Sequence, residues 1–378
     1  MKKLLFVVNV DWFFISHRLP IALQAIEDGY DVHLACTFTG NRSQLEELGI
    51  TCHSIAFSRS GSSVTMELNA ISSIRQVIKS LKVDVVHAIT IKPVIYTGLS
   101  LQSIERPPAF VAAISGLGYV FTADTLRAKM TKLLVSLMYK LALRNKRKVV
   151  IFQNTSDQTI LSKIVKLSEK DKTLIKGSGA DLSVYRYQAE PVGPNKIVSM
   201  ACRLLKEKGV YEFIEAAKLV KEKYSNIDFW LIGNVDLENP NSVSQEEVDT
   251  WVEEGVITAF GHRDDIPQLF AQSHVVTMPS FYGEGVPKVL IEAAACGRPI
   301  VTTDNPGCRD SIINEETGLL VPIKNAEALA KALIVLLLDE HKRIEMGLQA
   351  RQYAVSEFDV SNVVIRHLEI YQSLMVGK

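Results

Sequence analysis

Short apolar runs alternate with segments of helical periodicity along the whole chain, and this alternation limits the possible folds more than any other feature. Short apolar runs indicate buried strands, and strands that alternate with helices form parallel sheets with helices on both faces. The candidate strands are 4–8, 31–35, 51–55, 83–87, 109–113, 148–152 and 173–175, then 196–200, 228–232, 256–259, 274–278, 300–303 and 318–321. The candidate helices are 17–28, 42–48, 66–81, 92–103, 125–145 and 156–164, then 209–224, 244–253, 265–272, 287–295, 325–338, 340–355 and 361–375.

The alternation stops once, in a segment at 177–195 that is rich in glycine and proline, and then starts again. Segments of that composition are typical of linkers. A chain of 378 residues is also long enough for two hydrophobic cores. The sequence therefore predicts two doubly wound α/β domains, over 1–186 and 187–356. Ligands of such sheets bind beyond the carboxyl ends of the strands.

Charge is balanced over the chain but divided between its halves. Residues 1–186 carry 24 Lys and Arg against 14 Asp and Glu, a net charge of +10. Residues 187–378 carry 18 against 28, a net charge of −10. The basic half predicts an anionic partner or surface. The five cysteines are scattered and form no Cys-x-x-Cys pair, which is typical of a reducing compartment and gives no metal-ligand cluster.

The residues best suited to chemistry lie in the stretch 281–299. Glycines flank Glu284, and Pro287 is placed in the first turn of the next helix, where its missing N–H costs nothing. A glycine-containing loop that leads into a helix favours anion binding, because the first backbone N–H groups lack helical partners. Glu292 lies up to roughly 12 Å further along the helix, so the two carboxylates would hold different hydroxyl groups of one ligand. A surface loop with two solvated glutamates is the alternative.

A basic loop follows the first strand of the second half. Arg203 offers a guanidinium fork and Lys208 a point charge beside a predicted helix N-terminus, a combination that suits a diphosphate. The alternative is a solvated basic loop. Arg263 follows another strand of the same half, so we expect it at the same edge of the sheet.

The segment between the first strand and the first helix contains no glycine. Ser16 is a candidate N-cap for a helix over 17–28. His17 and Arg18 follow it and are candidates for contact with an anionic ligand. A capping turn with a surface histidine is the alternative.

Two further loops of the first half follow candidate strands. His87 ends one strand and Lys92 follows it, and a structural hydrogen bond of His87 fits the pattern as well as catalysis does. The next strand leads to Gly116, Gly118 and Tyr119, and the glycines are typical of a loop that a ligand approaches closely. We expect both loops at the ligand-binding edge of the sheet, with the aromatic residues beside the glycines in contact with a ligand.

The segment 125–148 carries eight basic residues and no acidic one, and its apolar residues recur at helical spacing. A basic amphipathic helix is typical of a membrane-surface element. An ordinary core helix with a basic outer face is the alternative, because the apolar residues must also pack on the sheet. Nucleic-acid binding is disfavoured, since no aromatic-rich basic surface accompanies the helix.

Taken together, these motifs resemble the retaining family-4 glycosyltransferases of the GT-B fold, and the resemblance extends over the whole chain. Its motifs are Arg203 with Lys208-Gly209, Glu284-Gly285-Val286-Pro287 with Glu292, Ala295-Cys296-Gly297-Arg298-Pro299 and the turn Gly179-Ala180-Asp181. The run 16–20 and the loop 116–118 resemble the subgroup that builds O-antigen, capsule and related lipid-linked glycans. One departure is the segment 9–14, which stands where many members have a Gly-Gly loop.

The resemblance implies a GT-B architecture, in which two Rossmann-like domains face each other across a cleft and the last helix, 357–378, packs on the N-terminal domain. It implies a nucleotide-sugar donor, transfer with retention, no protein nucleophile, no cofactor and no metal ion. We assign catalytic roles to Glu284, Arg203, Lys208 and His17. We assign donor contacts to Arg203, Lys208, Arg263, Glu284, Gly285, Val286, Pro287, Lys288, Val289 and Glu292. We assign acceptor contacts to Ser16, Arg18, His87, Lys92, Gly116, Gly118 and Tyr119.

Within this resemblance, Arg203 and Lys208 would bind the donor diphosphate, Glu284 the hydroxyl groups of the donor sugar, and backbone amides near 286–289 the phosphate oxygens. Glu292 would bind the ribose, and Arg263 would lie beside the base.

The leading hypothesis is a peripheral enzyme on the inner face of the bacterial cytoplasmic membrane. It would move a sugar, with an N-acetylated hexose as the candidate, from a UDP-sugar to a glycan on undecaprenyl diphosphate. The basic helix 125–148 would contact the anionic membrane surface, and no nucleic-acid partner is expected. The alternatives are a UDP-sugar epimerase of the same fold, a transferase for a soluble acceptor, and a nucleotide-sugar-binding protein without activity.

Overall fold

The computed structural model describes residues 1–57, 64–118, 121 and 126–376, and it divides into two units. Unit 1 comprises Met1–Ser178 together with Val360–Lys378, and unit 2 comprises Gly179–Asp359. The division falls after Ser178, where the sequence analysis placed it after Arg186.

Unit 1 contains a sheet of seven parallel strands within the described ranges. These are β1 (Lys2–Val10), β2 (Tyr30–Thr37), β3 (Thr51–Ser54), β4 (Val85–Ile89), β5 (Ala109–Ile114), β6 (Lys148–Phe152) and β7 (Lys172–Leu174). The helices between them are α1 (Asp11–Glu27), α2 (Arg42–Glu47), α3 (Val64–Leu81), α4 (Ile91–Leu101), α5 (Leu126–Ala142) and α6 (Thr155–Val165).

Unit 2 contains a sheet of six parallel strands. These are β8 (Lys196–Ala201), β9 (Ile227–Ile232), β10 (Thr258–Gly261), β11 (Val275–Met278), β12 (Ile300–Thr303) and β13 (Gly318–Val321). Its helices are α7 (Val210–Lys221), α8 (Gln245–Glu253), α9 (Ile266–Gln272), α10 (Lys288–Ala295), α11 (Ala326–Leu338) and α12 (Glu340–Glu357). The last helix, α13 (Val360–Val376), returns to unit 1.

Both sheets have the strand order of doubly wound folds. Unit 1 reads β3-β2-β1-β4-β5-β6-β7 and unit 2 reads β10-β9-β8-β11-β12-β13. The order reverses between β1 and β4 in unit 1, and between β8 and β11 in unit 2. These reversals are the points where open parallel sheets bind ligands, just outside the carboxyl ends of the strands. The predicted α/β class with two Rossmann-like domains is confirmed.

The pleat of β1 shows how unit 1 is covered on both faces. Leu4, Phe6 and Val8 belong to the apolar cluster that contains residues of α1 and α13. Leu5 and Val7 point the other way, into the cluster that contains residues of α3, α4 and α5. Alternate residues of a strand face opposite sides of the sheet, so a run without polar interruption indicates burial on both faces.

The start of α1 differs from the prediction. The helix begins at Asp11, directly after β1, and Ser16 lies exposed within it rather than at its N-cap. The buried Asp11 carboxylate accepts hydrogen bonds from its neighbour's N–H (Trp12, 2.8 Å), from the N–H and hydroxyl of Thr39 (2.8 and 2.6 Å) and from the N–H of Asn41 (3.1 Å). Burial would raise the pKa of Asp11, but these hydrogen bonds outweigh it and lower the pKa. The Asp11 carboxylate therefore joins the start of α1 to the segment that carries Thr39 and Asn41.

The predicted linker is mostly part of unit 2. Three arginines hold its backbone and one carboxylate: Arg298 donates to the carbonyl of Gln188 (2.6 Å), Arg351 to that of Tyr185 (2.8 Å), and Arg343 to both oxygens of Glu190 (2.8 and 2.6 Å). The segment before β8 is therefore fixed to the body of unit 2, although its composition is typical of a flexible connection.

Candidate active site

Two loops meet at the point in unit 2 where the strand order reverses. One runs from β8 to α7 and carries Arg203 and Lys208, and the other runs from β11 to α10 and carries Glu284. The backbone N–H of Phe281 donates to the carbonyl of Glu207 (3.0 Å), which joins the two loops. Because β8 and β11 are neighbours in the sheet, side chains that are far apart in sequence are brought to one edge.

Lys208 and Glu284 form the centre of this site. The Nζ of Lys208 lies 2.5 Å from Oε2 of Glu284, and the hydroxyl of Ser280 donates to the other oxygen of Glu284 (2.8 Å). The two side chains are only 16% and 17% exposed, so their charges are partly shielded from water. Burial lowers the pKa of Lys208, but the charge and hydrogen bond of Glu284 outweigh it and raise the pKa. Lys208 is therefore a cation that Glu284 holds in a fixed position at this edge of the sheet.

A third loop, from β12, fixes the backbone beside Glu284. The side-chain amide of Asn305 donates to the carbonyl of Tyr282 (2.6 Å). Gly307 lies so close that a Cβ there would come within 2.2 Å of the Gly285 carbonyl oxygen and 2.5 Å of that of Glu284. Its φ of +85° also favours glycine. The position of Glu284 is thus set by close backbone packing.

Gly307→Ala is therefore expected to displace the loop that carries Glu284. The new methyl group must push aside backbone atoms, so the rate of the reaction at this site should fall at least about tenfold, and the free energy of unfolding should fall by about 1–3 kcal/mol. Gly255→Ala is the matched control, because Gly255 has a φ of +67° but no atom within 4 Å of a Cβ. Steady-state rates and denaturant unfolding measure both effects. Equal rates for the two variants would contradict the close packing.

The two arginines among the predicted donor contacts are more exposed than Lys208 and have acidic neighbours. Arg203 is 56% exposed, and its guanidinium lies 3.5 Å from the carboxylate of Asp236. Arg263 donates to both oxygens of Asp265 (2.7 and 2.5 Å). These carboxylates orient the two guanidinium groups, and a bound anion would compete with them.

Glu292 is buried on the second turn of α10. Its carboxylate lies 3.3 Å from Nζ of Lys288, and the hydroxyl of Tyr185 donates to it. Burial raises the pKa of Glu292 and outweighs the opposing influence of Lys288 and Tyr185. The N-terminus of the same helix, which begins after Pro287, presents the backbone amides expected to meet phosphate oxygens.

The polar groups of unit 1 lie at its own reversal point, between β1 and β4. The side chain of Asn9 donates to the hydroxyl of Thr90 (3.0 Å) across these strands. Lys92 follows in α4 and lies 2.8 Å from the carboxylate of Glu67. Ser16 and His17 both lie on α1, where Ser16 is exposed and His17 stacks on Phe13 with 4.3 Å between ring centroids. The loop after β5 holds Gly116 and Gly118 at φ of +110° and +70°. Tyr119 lies outside the described residues.

Two predicted acceptor contacts are corrected by the structure. His87 is fully buried, and its Nδ1 lies 2.6 Å from the hydroxyl of Tyr371 on α13. Arg18 is 1% exposed and donates to the carbonyl of His17 (2.8 Å). Both side chains point into the interior between α1, β4 and α13, so neither can touch a ligand at the sheet edge.

The basic helix α5 is packed on only one side. Tyr139, Ala142 and Leu143 at its C-terminal end are buried in the core. Four large apolar side chains on its outer side are exposed: Met130 (75%), Leu133 (74%), Leu134 (58%) and Leu137 (53%). Their i, i+3, i+4, i+7 spacing places them on one face, beside the exposed Lys129 and Lys140. Within the described ranges, no helix is both long and apolar enough to cross a membrane.

Several residues of this site were missed by the sequence analysis. Asp265 lies two positions from Arg263, so its bidentate contact could have been anticipated from sequence spacing. Tyr185 and Asp236 gave no such signal, because they reach Glu292 and Arg203 from distant segments. No group of three or more His, Cys, Asp or Glu in the described part of the chain could hold a metal ion.

Comparison with known proteins identifies the class. Residues 3–203 match the family Glycosyl transferase 4-like, and residues 183–353 match Glycosyl transferases group 1. The two parallel-sheet units and these matches define a glycosyltransferase of the GT-B fold. The chain belongs to the Glycosyl transferase 4-like family, which matches more than half of its length.

Two curated relatives and one solved structure show the range of the similarity. The chain is 28% identical to the N,N'-diacetylbacillosaminyl-diphospho-undecaprenol alpha-1,3-N-acetylgalactosaminyltransferase of Campylobacter jejuni, covering 96% of this chain and 98% of the relative. It is 21% identical to the UDP-Gal:alpha-D-GlcNAc-diphosphoundecaprenol alpha-1,3-galactosyltransferase of Escherichia coli, covering 95% and 94%. The structure of Anabaena HepE in complex with UDP superposes with a TM-score of 0.78 at 20% identity, covering 99% of this chain and 100% of that one.

Proposed function

We propose that this glycosyltransferase moves a sugar from a UDP-sugar to a glycan carried on undecaprenyl diphosphate, with retention of configuration, during synthesis of a bacterial surface polysaccharide. The proposal rests on the pair of Lys208 and Glu284 at the reversal point of unit 2, with Arg203 on the same loop. The Campylobacter and Escherichia coli relatives, both named as transferases for undecaprenyl diphosphate acceptors, support the acceptor class. An N-acetylated hexose is the candidate sugar.

The donor diphosphate would lie against Lys208, Arg203 and the N-terminus of α10. Cleavage of the bond between sugar and diphosphate places extra negative charge on the leaving phosphate, and preorganised cations lower the energy of that state. These cations supply the positive charge, so we also propose that transfer requires no metal ion and no cofactor. Glu284 would exchange part of its contact with Lys208 for the hydroxyl groups of the donor sugar.

The other donor residues would orient the nucleotide. Glu292 would accept hydrogen bonds from the ribose, and Arg263 would lie beside the base. The backbone around 285–289 would meet the phosphate oxygens, since glycine at 285 lets a ligand approach closely.

The acceptor would bind at the edge of unit 1. Lys92 carries a positive charge suited to a phosphate of the lipid diphosphate, and Ser16 and the glycine loop at 116–118 offer polar groups to its sugar. His17, on the first helix, remains our candidate for contact with the reacting groups.

Helix α5 would hold the enzyme on the inner face of the cytoplasmic membrane as a peripheral protein. Its exposed stripe of Met130, Leu133, Leu134 and Leu137 would enter the headgroup region, and the flanking lysines would meet anionic lipids. An exposed apolar patch rimmed by charged residues is typical of a membrane or protein interaction site. A lipid acceptor explains why the enzyme would need this surface.

One experiment tests the proposal. Purified full-length protein is incubated with lipid-linked acceptors and a panel of UDP-, GDP- and TDP-sugars, and release of nucleoside diphosphate is followed, with and without a metal chelator. Release with a UDP-sugar only when the lipid acceptor is present is the expected result. Turnover without lipid would instead indicate an epimerase or a soluble acceptor, and donor binding without turnover would indicate a binding protein.

A further inference from the structure

Four polar side chains meet in the interior of unit 1, away from the sheet edge. Arg18 comes from α1, His87 from β4, and His367 and Tyr371 from α13. All four are at most 1% exposed. The two imidazole rings lie 5.5 Å apart between centroids, and the His87 ring lies 5.7 Å from that of Tyr371. We refer to these four residues as the α13 cluster.

Three nitrogen atoms of the α13 cluster are buried and have no protein partner: Nε of Arg18, Nε2 of His87 and Nε2 of His367. Buried polar atoms without a partner are rare, because each loses its hydrogen bond to water on folding. The three atoms belong to α1, β4 and α13, so the cluster is complete only when α13 is packed on unit 1.

The hydrogen bonds that are present fix the proton positions. The carbonyl of Val363 can only accept, so Nδ1 of His367 (2.7 Å away) carries the proton and Nε2 is an acceptor. The hydroxyl of Tyr371 lies 2.6 Å from Nδ1 of His87 and has no other acceptor among the described residues, so we assign it as the donor. This assignment leaves the His87 proton on Nε2, where it can be donated. Nε of Arg18 can only donate. The cluster therefore presents two donors and one acceptor.

We propose that one water molecule binds between Arg18, His87 and His367, and that this water-bridged cluster holds α13 on unit 1 at neutral pH and weakens its hold in acid. One water accepts from the two donors and donates to His367, which is the usual number of hydrogen bonds for a buried water. Two hydrogen bonds of about 2.9 Å let one water bridge atoms up to roughly 5.8 Å apart, and the centroids of the two imidazole rings lie 5.5 Å apart.

Protonation of either imidazole breaks the arrangement. A proton on Nε2 of His367 removes the acceptor and adds a cation beside Arg18. Among the described residues, the groups whose charges act on the cluster are Arg18, Arg366 and the two histidines, with Tyr30 acting on Tyr371. No carboxylate acts on either imidazole within that set. Burial, followed by these positive charges, lowers the pKa of His367 to about 3 and that of His87 well below its usual 6.5.

The sign of the pH effect follows from these directions. Both histidines stay neutral while α13 is docked, and both bind a proton near their ordinary pKa of about 6.5 once it opens. Acid therefore favours the open form. The opening equilibrium of α13 should rise about tenfold per pH unit below 6.5 for each imidazole that opening exposes.

Hydrogen exchange of the α13 amides in the full chain measures this opening equilibrium, once the rates are corrected for intrinsic exchange. Protection should be constant between pH 8 and 7 and should fall at least about tenfold between pH 6 and 5. The double variant His87→Gln with His367→Gln should lose this slope. His341→Gln should keep it, because His341 is a surface histidine with a side chain that is 92% exposed. A wild-type protein without a slope would overturn the proposal even if the double variant fails to fold.

The water itself is tested separately by a high-resolution crystal structure of the wild-type protein. A single water within hydrogen-bonding distance of the three nitrogens is expected. Direct bonds among them, or an empty site, would overturn the bridge. A chloride ion in its place would also overturn it, and is recognised in solution by protection of α13 that rises with chloride at constant ionic strength.

Discussion

Lys208→Met should lower kcat/KM for sugar transfer by about a hundredfold to a thousandfold. The variant removes a cation that is held at the reversal point of unit 2 and placed to offset charge on the leaving phosphate, and loss of one such preorganised group costs this much in other enzymes. Glu284→Gln should also lower kcat/KM, because the neutral amide cannot form an ion pair with Lys208. Steady-state kinetics with the UDP-sugar and lipid acceptor measures both.

The control for this prediction lies on the same loop. Lys206→Met removes an exposed lysine two positions away and should leave kcat/KM within about twofold of wild type. The double variant Lys208→Met with Glu284→Gln should lose less than the two single effects added together, because residues in contact do not contribute independently. Full activity of the Lys208→Met variant would contradict the assignment of the donor site to Lys208 and Glu284.

Leu133→Ser combined with Leu134→Ser should weaken binding to anionic lipid vesicles by about thirtyfold or more. A leucine gains about 1.5–3 kcal/mol on full burial, so two that are now 74% and 58% exposed should account for roughly 2–4 kcal/mol of membrane binding. Exposed side chains add little to folding, so the free energy of unfolding should change by less than about 0.5 kcal/mol. Vesicle sedimentation and denaturant unfolding measure the two quantities.

Leu338→Ser combined with Leu348→Ser provides the matched control. These leucines are also exposed (59% and 42%) but lie on α11 and α12 of unit 2, which are not basic amphipathic helices. This double variant should bind vesicles as wild type does. If both double variants bind equally well, α5 is not the membrane contact.

Much of the fold could be predicted from sequence because each element has its own local signal. Every predicted strand and helix corresponds to one in the described residues, with ends that shift by a few positions. The largest error, at α1, has a non-local cause. Asp11 starts the helix early because its carboxylate binds Thr39 and Asn41, which lie 28 and 30 residues further along the chain. No local pattern around Ser16 contains that information.

The candidate site was only partly predictable, for the same reason. Lys208 and Glu284 each lie in a recognisable loop, so both could be named, but their contact spans 76 positions and depends on β8 lying beside β11. His87 was assigned to a ligand because a histidine that follows an apolar run has the same pattern whether it faces solvent or the core. Its partner Tyr371 lies 284 positions away. A partner at that distance is visible only in the structure.

The return of α13 to unit 1 determines the order in which the chain can fold during synthesis. The α13 residues Val363, Leu368, Tyr371 and Met375 complete one apolar cluster of unit 1, and they are translated after all of unit 2. All of unit 2 leaves the ribosome before them and can fold while unit 1 still has one face of its sheet uncovered. A nonsense mutation between unit 2 and α13 would therefore damage the N-terminal unit and leave the unit nearer the truncation intact.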